Sequence, residues 1–103
     1  MKSIRWFSSL NPWIDVVVVV NDADVEKAKF AVDDAETAFW NDEENCDQCY
    51  GDVLEGRLRK YEVEAITTIY HDSEREDLEY EEQWETLLDG VMSVAPCVAN
   101  YGG

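Results

Sequence analysis

Five consecutive valines, residues 16 to 20, constrain the fold of this chain more than any other feature of its sequence. Together with residues 13 to 15 they form the segment WIDVVVVV, which is rich in β-branched side chains and has no helical period. A strand that is apolar on both faces is typical of the interior of a sheet. We therefore predict a central β-strand over residues 13–20.

Two further segments alternate between apolar and polar residues as strands do. Residues 2–8, KSIRWFS, precede the turn-forming residues 9–12, which predicts a hairpin with the valine strand. Residues 62–70, EVEAITTIY, predict a strand that is partly exposed on one face. The apolar segment of residues 93–103 predicts either an edge strand or a cover over the core.

Three segments have apolar residues at the spacings of three and four that are typical of amphipathic helices. The first spans residues 22–40, with N-cap candidates at Asn21 and Asp22, and the second spans residues 50–61. The third spans residues 72–92. Its predicted core face comprises Tyr80, Trp84, Leu87, Leu88 and Val91.

These elements, in the order β-β-α-α-β-α, predict an α+β fold of two layers, with three helices over one face of a small mixed sheet of about three strands. The 103 residues fit a single domain, residues 1–103. An apolar fraction of 46%, with aromatic side chains at 12%, is sufficient for a core.

The third predicted helix is distinguished by carboxylates that follow each other at intervals of four residues, one helical turn apart. They belong to Asp77, Glu81, Glu85 and Asp89, and Glu74, Glu79 and Glu82 flank them. The like-charged pairs together cost roughly 1 kcal/mol of folding stability. Because this row of carboxylates destabilises the fold, it indicates that the chain binds a positively charged partner.

The net charge of −16, from 24 acidic and 8 basic residues, is far larger than solubility requires. Its field repels phosphate and anionic lipid, so we expect direct binding neither to nucleic acid nor to a membrane surface. The longest apolar run, residues 16–20, is too short to span a membrane, and the first residues lack the apolar region of a signal peptide. We therefore expect a cytoplasmic protein with reduced cysteines.

No motif in the sequence predicts catalysis. Cys46 and Cys49 have the Cys-x-x-Cys spacing of metal and redox sites. A zinc set would need His71 and Cys97 as well, and a second closely spaced pair is missing. Asp and Glu are so abundant that no single acid–base pair is identified. We therefore expect no enzyme, no cofactor and no metal.

Several segments together resemble small proteins encoded by phages and mobile elements. They are the valine-rich strand, Asp-Val-Glu-Lys-Ala from residue 24, Phe39-Trp40, and Cys49-Tyr50-Gly51-Asp52 before a second helix. In size and acidity the chain is similar to acidic anti-CRISPR and anti-restriction inhibitors, several of which occupy the DNA-binding surface of a nuclease as nucleic-acid mimics. The resemblance implies an inhibitor that acts on a basic protein in a host bacterial cell.

The carboxylate row and the resemblance lead to one hypothesis. The chain would inhibit a bacterial defence nuclease, such as a CRISPR effector or a restriction nuclease, by occupying its basic DNA-reading or PAM-reading surface. A polar loop over residues 41–48 would add carboxylates, and Asp33 and Glu36 of the first helix would extend the anionic surface. The predicted partner-binding residues are Asp77, Glu81, Glu85, Asp89, Glu74, Glu82, Tyr80, Asp42, Glu43, Glu44 and Asp47.

The alternative hypothesis belongs to a different class of function. The chain would be a non-enzymatic phage accessory protein that binds a partner, or a second copy of itself in a homodimer, through the apolar residues 94–101.

Overall fold

A computed structural model describes residues 1–8, 14–41, 50–72 and 78–102 of the chain. The elements are β1 (Lys2–Ser8), β2 (Ile14–Val20), α1 (Val25–Asn41), α2 (Tyr50–Lys60), β3 (Thr67–Asp72), α3 (Leu78–Val94) and β4 (Cys97–Gly102). A 3-10 turn, Asp22–Asp24, leads into α1. The fold is α+β with three helices among the described residues, as predicted, and its sheet has four strands where about three were predicted.

The strands form one mixed sheet in the order β3-β2-β1-β4. β1 and β2 are antiparallel along their full lengths, as the predicted hairpin requires. β3 is antiparallel to β2, and β4 is parallel to β1 with a register irregularity between Ser3 and Ile4. The valine strand is therefore internal, as predicted. Of the two alternatives for residues 93–103, the edge strand is the one observed.

Helices α1 and α2 cover one face of the sheet and form the main core with it. Strand residues at every second position point into this core, because side chains alternate along a strand. Alanines on α1 allow the helix to approach the sheet closely. The core comprises Ile4, Trp6, Val16, Val18, Val20, Ala28, Ala31, Val32, Ala35, Leu54, Leu58 and Val63.

Helix α3 lies over the opposite face of the sheet. Trp84 stacks on His71 of β3, with ring centroids 5.2 Å apart. His71 is the register partner of Asp15. Because side chains alternate along a strand, both point to the face of the sheet opposite to that of Val16. At the end of α3, the Ser3 hydroxyl of β1 donates a hydrogen bond to the carbonyl oxygen of Ala95 over 2.7 Å.

This position of α3 corrects the prediction that all helices cover one face. The reason lies in the valine strand: Val17 and Val19, on the second face, are as buried as the valines of the main core. A sheet with two apolar faces needs cover on both of them. The fold therefore has three layers instead of two: the sheet lies between α1 and α2 on one face and α3 on the other.

The third strand begins at Thr67, five residues later than predicted, because of the way in which α2 ends. Glu62 has a φ of 57°, in the left-handed region. Its N–H donates to the Arg59 carbonyl over 3.1 Å, and the N–H of Val63 donates to the Leu58 carbonyl over 2.9 Å. These two bonds are those of a Schellman motif, which turns the chain before it can enter the sheet.

Candidate functional site

Helix α3 carries the candidate site, and Trp84 holds it on the sheet. Trp84 is only 6% exposed. Leu88, Val91 and Met92 follow it at helical spacings and are half-buried, so they continue the same side of the helix. The Met92 sulfur lies 3.3 Å from the Ser3 hydroxyl, which places this side of α3 against β1. The remaining circumference of α3 is free to carry charge.

The carboxylates of Glu85 and Asp89 lie on that exposed circumference, one helical turn apart. Over its 17 residues, LEYEEQWETLLDGVMSV, α3 contains acidic residues at five positions and no basic residue. Neither Glu85 nor Asp89 forms an ion pair with any described residue. Their negative charge is therefore uncompensated within the described part of the molecule.

Arg5, on the face of the sheet beneath α3, does not balance this charge because it is bound to a buried carboxylate. Its Nε donates to Oδ1 of Asp15 over 2.9 Å. Asp15 is only 3% exposed, and its hydrogen bond with Arg5 raises the pKa of the guanidinium. The Arg5 guanidinium therefore neutralises the Asp15 carboxylate, and the pair adds no net positive charge beneath α3.

The layer of α1 and α2, in contrast, is nearly balanced in charge. Its two helices contain six acidic and five basic residues. Asp34 of α1 accepts hydrogen bonds from Lys60 Nζ and from the Tyr61 hydroxyl, both over 3.0 Å. Arg57 Nε lies 3.6 Å from the same carboxylate. These contacts, the Lys60 bond above all, lower the pKa of Asp34 and join the two helices.

The predicted extension of the α3 surface by Asp33 and Glu36 is not observed. Both residues belong to α1, which covers the opposite face of the sheet from α3. They form a separate, smaller acidic region next to Tyr101 of β4. Burial, followed by the charge of Asp33, raises the pKa of Glu36. Burial also raises the pKa of Tyr101, with Asp33 contributing next.

Much of the predicted partner surface lies outside the described residues. This applies to Asp42, Glu43, Glu44, Asp47, Glu74 and Asp77. The backbones of Tyr80, Glu81 and Glu82 belong to α3, but their side chains are outside the described part of the structure. The structure thus brings Glu85 and Asp89 together on one helix side, and the rest of the predicted set stays a prediction.

An exposed apolar flank of α3 was missed by the sequence reasoning. Leu87, which was assigned to the core face, is 45% exposed, and Val94 is 62% exposed. At about 100° per residue, Leu87 and Val94 are rotated by roughly 60° and 80° from Trp84, both in the same direction. The sequence shows that α3 has many apolar positions, but which of them stay exposed depends on how the sheet covers the helix.

Gly90 lies between these two apolar residues, three positions after Leu87 and four before Val94. A Cβ atom added at Gly90 would meet no atom within 4 Å. We refer to Leu87, Gly90 and Val94 as the apolar flank of α3. The apolar flank adjoins one edge of the buried side of α3. Glu85 and Asp89 lie beyond the opposite edge of that buried side.

The structure does not bring together the two described members of the zinc set that was considered and judged improbable from the sequence. His71 is on β3 and Cys97 is on β4, at opposite edges of the sheet. Three strand spacings, about 14 Å, separate them, whereas ligands of one zinc ion lie within a few ångströms of one another. Cys46 and Cys49 lie outside the described residues. The residues that are described contain no cluster of three or more metal-ligating side chains.

Comparison with protein-family models, with curated proteins and with solved structures found no significant match to this chain. None of the described helices is long and apolar enough to cross a lipid bilayer. Helix α3, by its geometry and charge, is therefore the feature from which a function can be inferred.

Proposed function

We propose that the protein is a non-enzymatic inhibitor that uses α3 to occupy the basic nucleic-acid-binding surface of another protein. The proposed target is a bacterial defence nuclease, such as a CRISPR effector or a restriction nuclease, in the cytoplasm of a host cell. The observation that supports this proposal is the charge of α3, which has acidic residues at five positions and no basic residue. Lysine and arginine side chains of a partner would supply the missing positive charge on contact.

Attraction of this kind predicts the kinetics of the complex. Opposite fields accelerate association, and the effect weakens as salt shortens the range of the interaction to about 8 Å at physiological ionic strength. Binding of the inhibitor should therefore compete with DNA for the same surface and weaken steeply as the salt concentration rises.

The test compares two double charge reversals in a competition assay. Glu85→Lys with Asp89→Lys changes the α3 surface, and Glu55→Lys with Glu64→Lys makes the same change in net charge on exposed residues at and after α2. Labelled duplex DNA bound to each member of a panel of CRISPR and restriction nucleases is titrated with each protein, and fluorescence anisotropy reports displacement. We expect the α3 reversal to weaken displacement at least about tenfold more than the control reversal.

Two results would contradict the proposal. One is failure of the wild-type protein to displace DNA from any nuclease in the panel at low salt. The other is an equal loss of displacement in both reversed variants, because this would show a general effect of net charge instead of a surface on α3. Circular dichroism of each variant verifies that the fold is retained.

A second candidate function, self-association, is favoured by the exposure of apolar residues near the last strand. Val94 and Val98 are both exposed, and β4 forms an edge of the sheet. Deletion of residues 94–103 is unsuitable as a test because it would remove a strand that pairs with β1. Val98→Lys is the better variant: if it abolishes a concentration-dependent rise in sedimentation coefficient, the homodimer is supported.

A further inference from the structure

The outer edge of strand β4 lacks the charged residues that protect many sheet edges from pairing with another chain. β4 is the last strand in the order β3-β2-β1-β4, and no described strand pairs with its outer side. Each of the other three described strands contains a charged residue, whereas β4, CVANYG, contains none. Residues 90–103 as a whole contain no charged residue. The edge of β4 is therefore open to an additional strand.

The backbone of β4 directs hydrogen-bonding groups away from the sheet at Asn100. In a parallel pair, one member of each register pair bonds to the two residues that flank its partner. Ser3 is the bonding member of its pair, since its N–H donates to the carbonyl of Pro96, the residue before its partner Cys97, over 3.0 Å. Arg5 lies two residues further along β1 and points the same way. Its partner Asn100, an exposed residue, therefore has its own N–H and carbonyl on the outer edge.

The side of β4 that faces α1 is bordered by negative charge. Tyr101 packs on this side, against the main core. Burial raises the pKa of Tyr101, and the nearby carboxylates of Asp33 and Glu36 on α1 contribute to the increase. Glu26 is also near Tyr101, but it is paired with Lys29 over 3.6 Å. Asp33 and Glu36 form no ion pair with any described residue, so their charge is available to a partner.

We infer that the edge of β4 binds an extended segment of another protein as an additional strand, and that this segment has lysine or arginine at every second position. Backbone hydrogen bonds to β4 hold the segment, as in other complexes formed by strand addition. Because side chains alternate along a strand, the basic residues all lie on the α1 side, next to Asp33 and Glu36. This surface goes beyond the proposed function, since Glu85 and Asp89 of α3 do not contribute to it.

A second copy of this chain is a poorer occupant of the edge. Antiparallel pairing of two β4 strands has a two-fold axis perpendicular to the sheet, so both α1 helices lie on the same face. Asp33 and Glu36 of one copy then face the same residues of the other copy across the junction. Parallel pairing places α1 of one copy on the same face as α3 of the other, and α3 contains no basic residue. Like charges oppose association in both arrangements.

The test uses a labelled peptide of about eight residues in which lysine and threonine alternate, long enough to cover β4. Two further peptides have the same side chains and charge, but the backbone nitrogens are methylated either at the lysines or at the threonines. Only one of these two sets of N–H groups can face β4, because successive N–H groups of a strand point to opposite edges. Fluorescence anisotropy measures binding to the full chain at about 150 mM NaCl. One methylated peptide should bind at least about tenfold more weakly than the parent, and the other should bind like the parent.

Two variants of one residue locate the hydrogen bonds on the protein. Asn100→Pro removes an outward N–H and leaves the bonds between β4 and β1 in place, and proline is tolerated at such edge positions. Asn100→Ala removes the same side chain and keeps the N–H. We expect the proline variant to bind the parent peptide at least about tenfold more weakly and the alanine variant to bind it as wild type does. Circular dichroism verifies that both variants are folded.

Two double variants locate the charge. Asp33→Asn with Glu36→Gln removes the acidic border of β4 and should weaken binding of the parent peptide several-fold. Glu55→Gln with Glu64→Gln removes the same number of negative charges from exposed residues at and after α2, and it should have little effect. The difference between the two variants separates a local attraction from the general attraction of an acidic protein for a basic peptide.

Absence of binding of the parent peptide, or equal binding of the two methylated peptides, would overturn the inference. A wild-type dimer that Asn100→Pro dissociates and Asn100→Ala retains would overturn it in favour of a second copy as the occupant. These outcomes are separable from failure of the proposed function. DNA displacement that depends on Glu85 and Asp89, without a difference between the methylated peptides, would reject the edge alone. A difference between these peptides without DNA displacement would support the edge and reject the nuclease as the target.

Discussion

Asp34 shows how a single carboxylate is neutralised in the layer of α1 and α2. It lies between Arg57 and Lys60 and accepts a hydrogen bond from the Tyr61 hydroxyl, so three groups of α2 and its end contact one residue of α1. None of these partners is close to Asp34 in sequence, and no spacing rule identifies them. Glu85 and Asp89, in contrast, form no ion pair with any described residue, and we propose that they attract a partner protein instead.

This contact gives a pH-dependent contribution to stability. The pKa of Asp34 is lower in the folded protein than in the unfolded chain, where it is about 3.9. Its contribution is therefore fully present above that unfolded value and is lost as the pH falls through the lower folded value. We expect Asp34→Asn to destabilise the fold at pH 7 by at most about 1 kcal/mol, since the ion pairs are partly exposed.

Urea unfolding of wild type and Asp34→Asn at a series of pH values measures this contribution as the difference between their free energies of unfolding. The difference should be constant from neutral pH down to the unfolded pKa and should disappear in stronger acid. Asp33→Asn, which removes an exposed carboxylate from the same helix, is the control and should not destabilise the protein at pH 7. A difference that grows as the pH falls would show that the assigned contact is wrong.

Among the elements, those with a local signal were predicted best. The two strands of the hairpin and the apolar faces of α1 and α2 follow from alternation, from the valine run and from helical spacing, all of which involve neighbours along the chain. The predicted start of β3 was wrong because Glu62, which follows α2, has a left-handed backbone conformation that is usually found at glycine. The flank of α3 was missed because the width of its buried side depends on the sheet beneath it, which the sequence of the helix does not reveal.

The end of α2 offers a direct test of this explanation. Glu62→Gly should stabilise the protein by about 0.5–1 kcal/mol, because glycine adopts positive φ without the strain that a side chain adds. The gain is reduced by the greater freedom of glycine in the unfolded chain. Thermal and urea unfolding measure the change.

Glu64→Gly serves as the matched control for that variant. Glu64 is also exposed and lies two residues further along, outside the helix and without a positive φ. Here only the unfolded-chain effect remains, so the substitution should be neutral or slightly destabilising. If both variants behave alike, backbone strain at Glu62 does not contribute to stability.

The whole molecule combines one nearly neutral helical layer with one strongly acidic helix across the same sheet. Its net charge of −16 produces self-repulsion that opposes the compact state. The sequence predicted the magnitude of this charge but not its distribution, because the side of the sheet on which each helix lies is decided by packing. The arrangement leaves the acidic helix accessible, whereas the acidic and basic residues of the other layer nearly balance in number.

Self-repulsion predicts that salt stabilises the isolated protein. Raising NaCl from about 20 mM to about 500 mM should increase Tm by several degrees, because each 1 kcal/mol of relief corresponds to about 4–8 °C in a domain of this size. The increase should be smaller in the variant with Glu85→Lys and Asp89→Lys, in which the acidic helix is already partly neutralised. A Tm that is insensitive to salt in both proteins would contradict this picture of the charge.

The parallel pairing of β4 with β1 affects the order in which the chain can fold as a ribosome synthesises it. Ser3 binds the carbonyl of Ala95, 92 positions later, and the strand that covers the edge of β1 follows directly after it. Until those residues emerge, the hairpin has one open edge, to which extended segments of other nascent chains can add. Pairing of β4 is therefore the step that closes this edge, and it can occur only after more than 90 further residues have been synthesised.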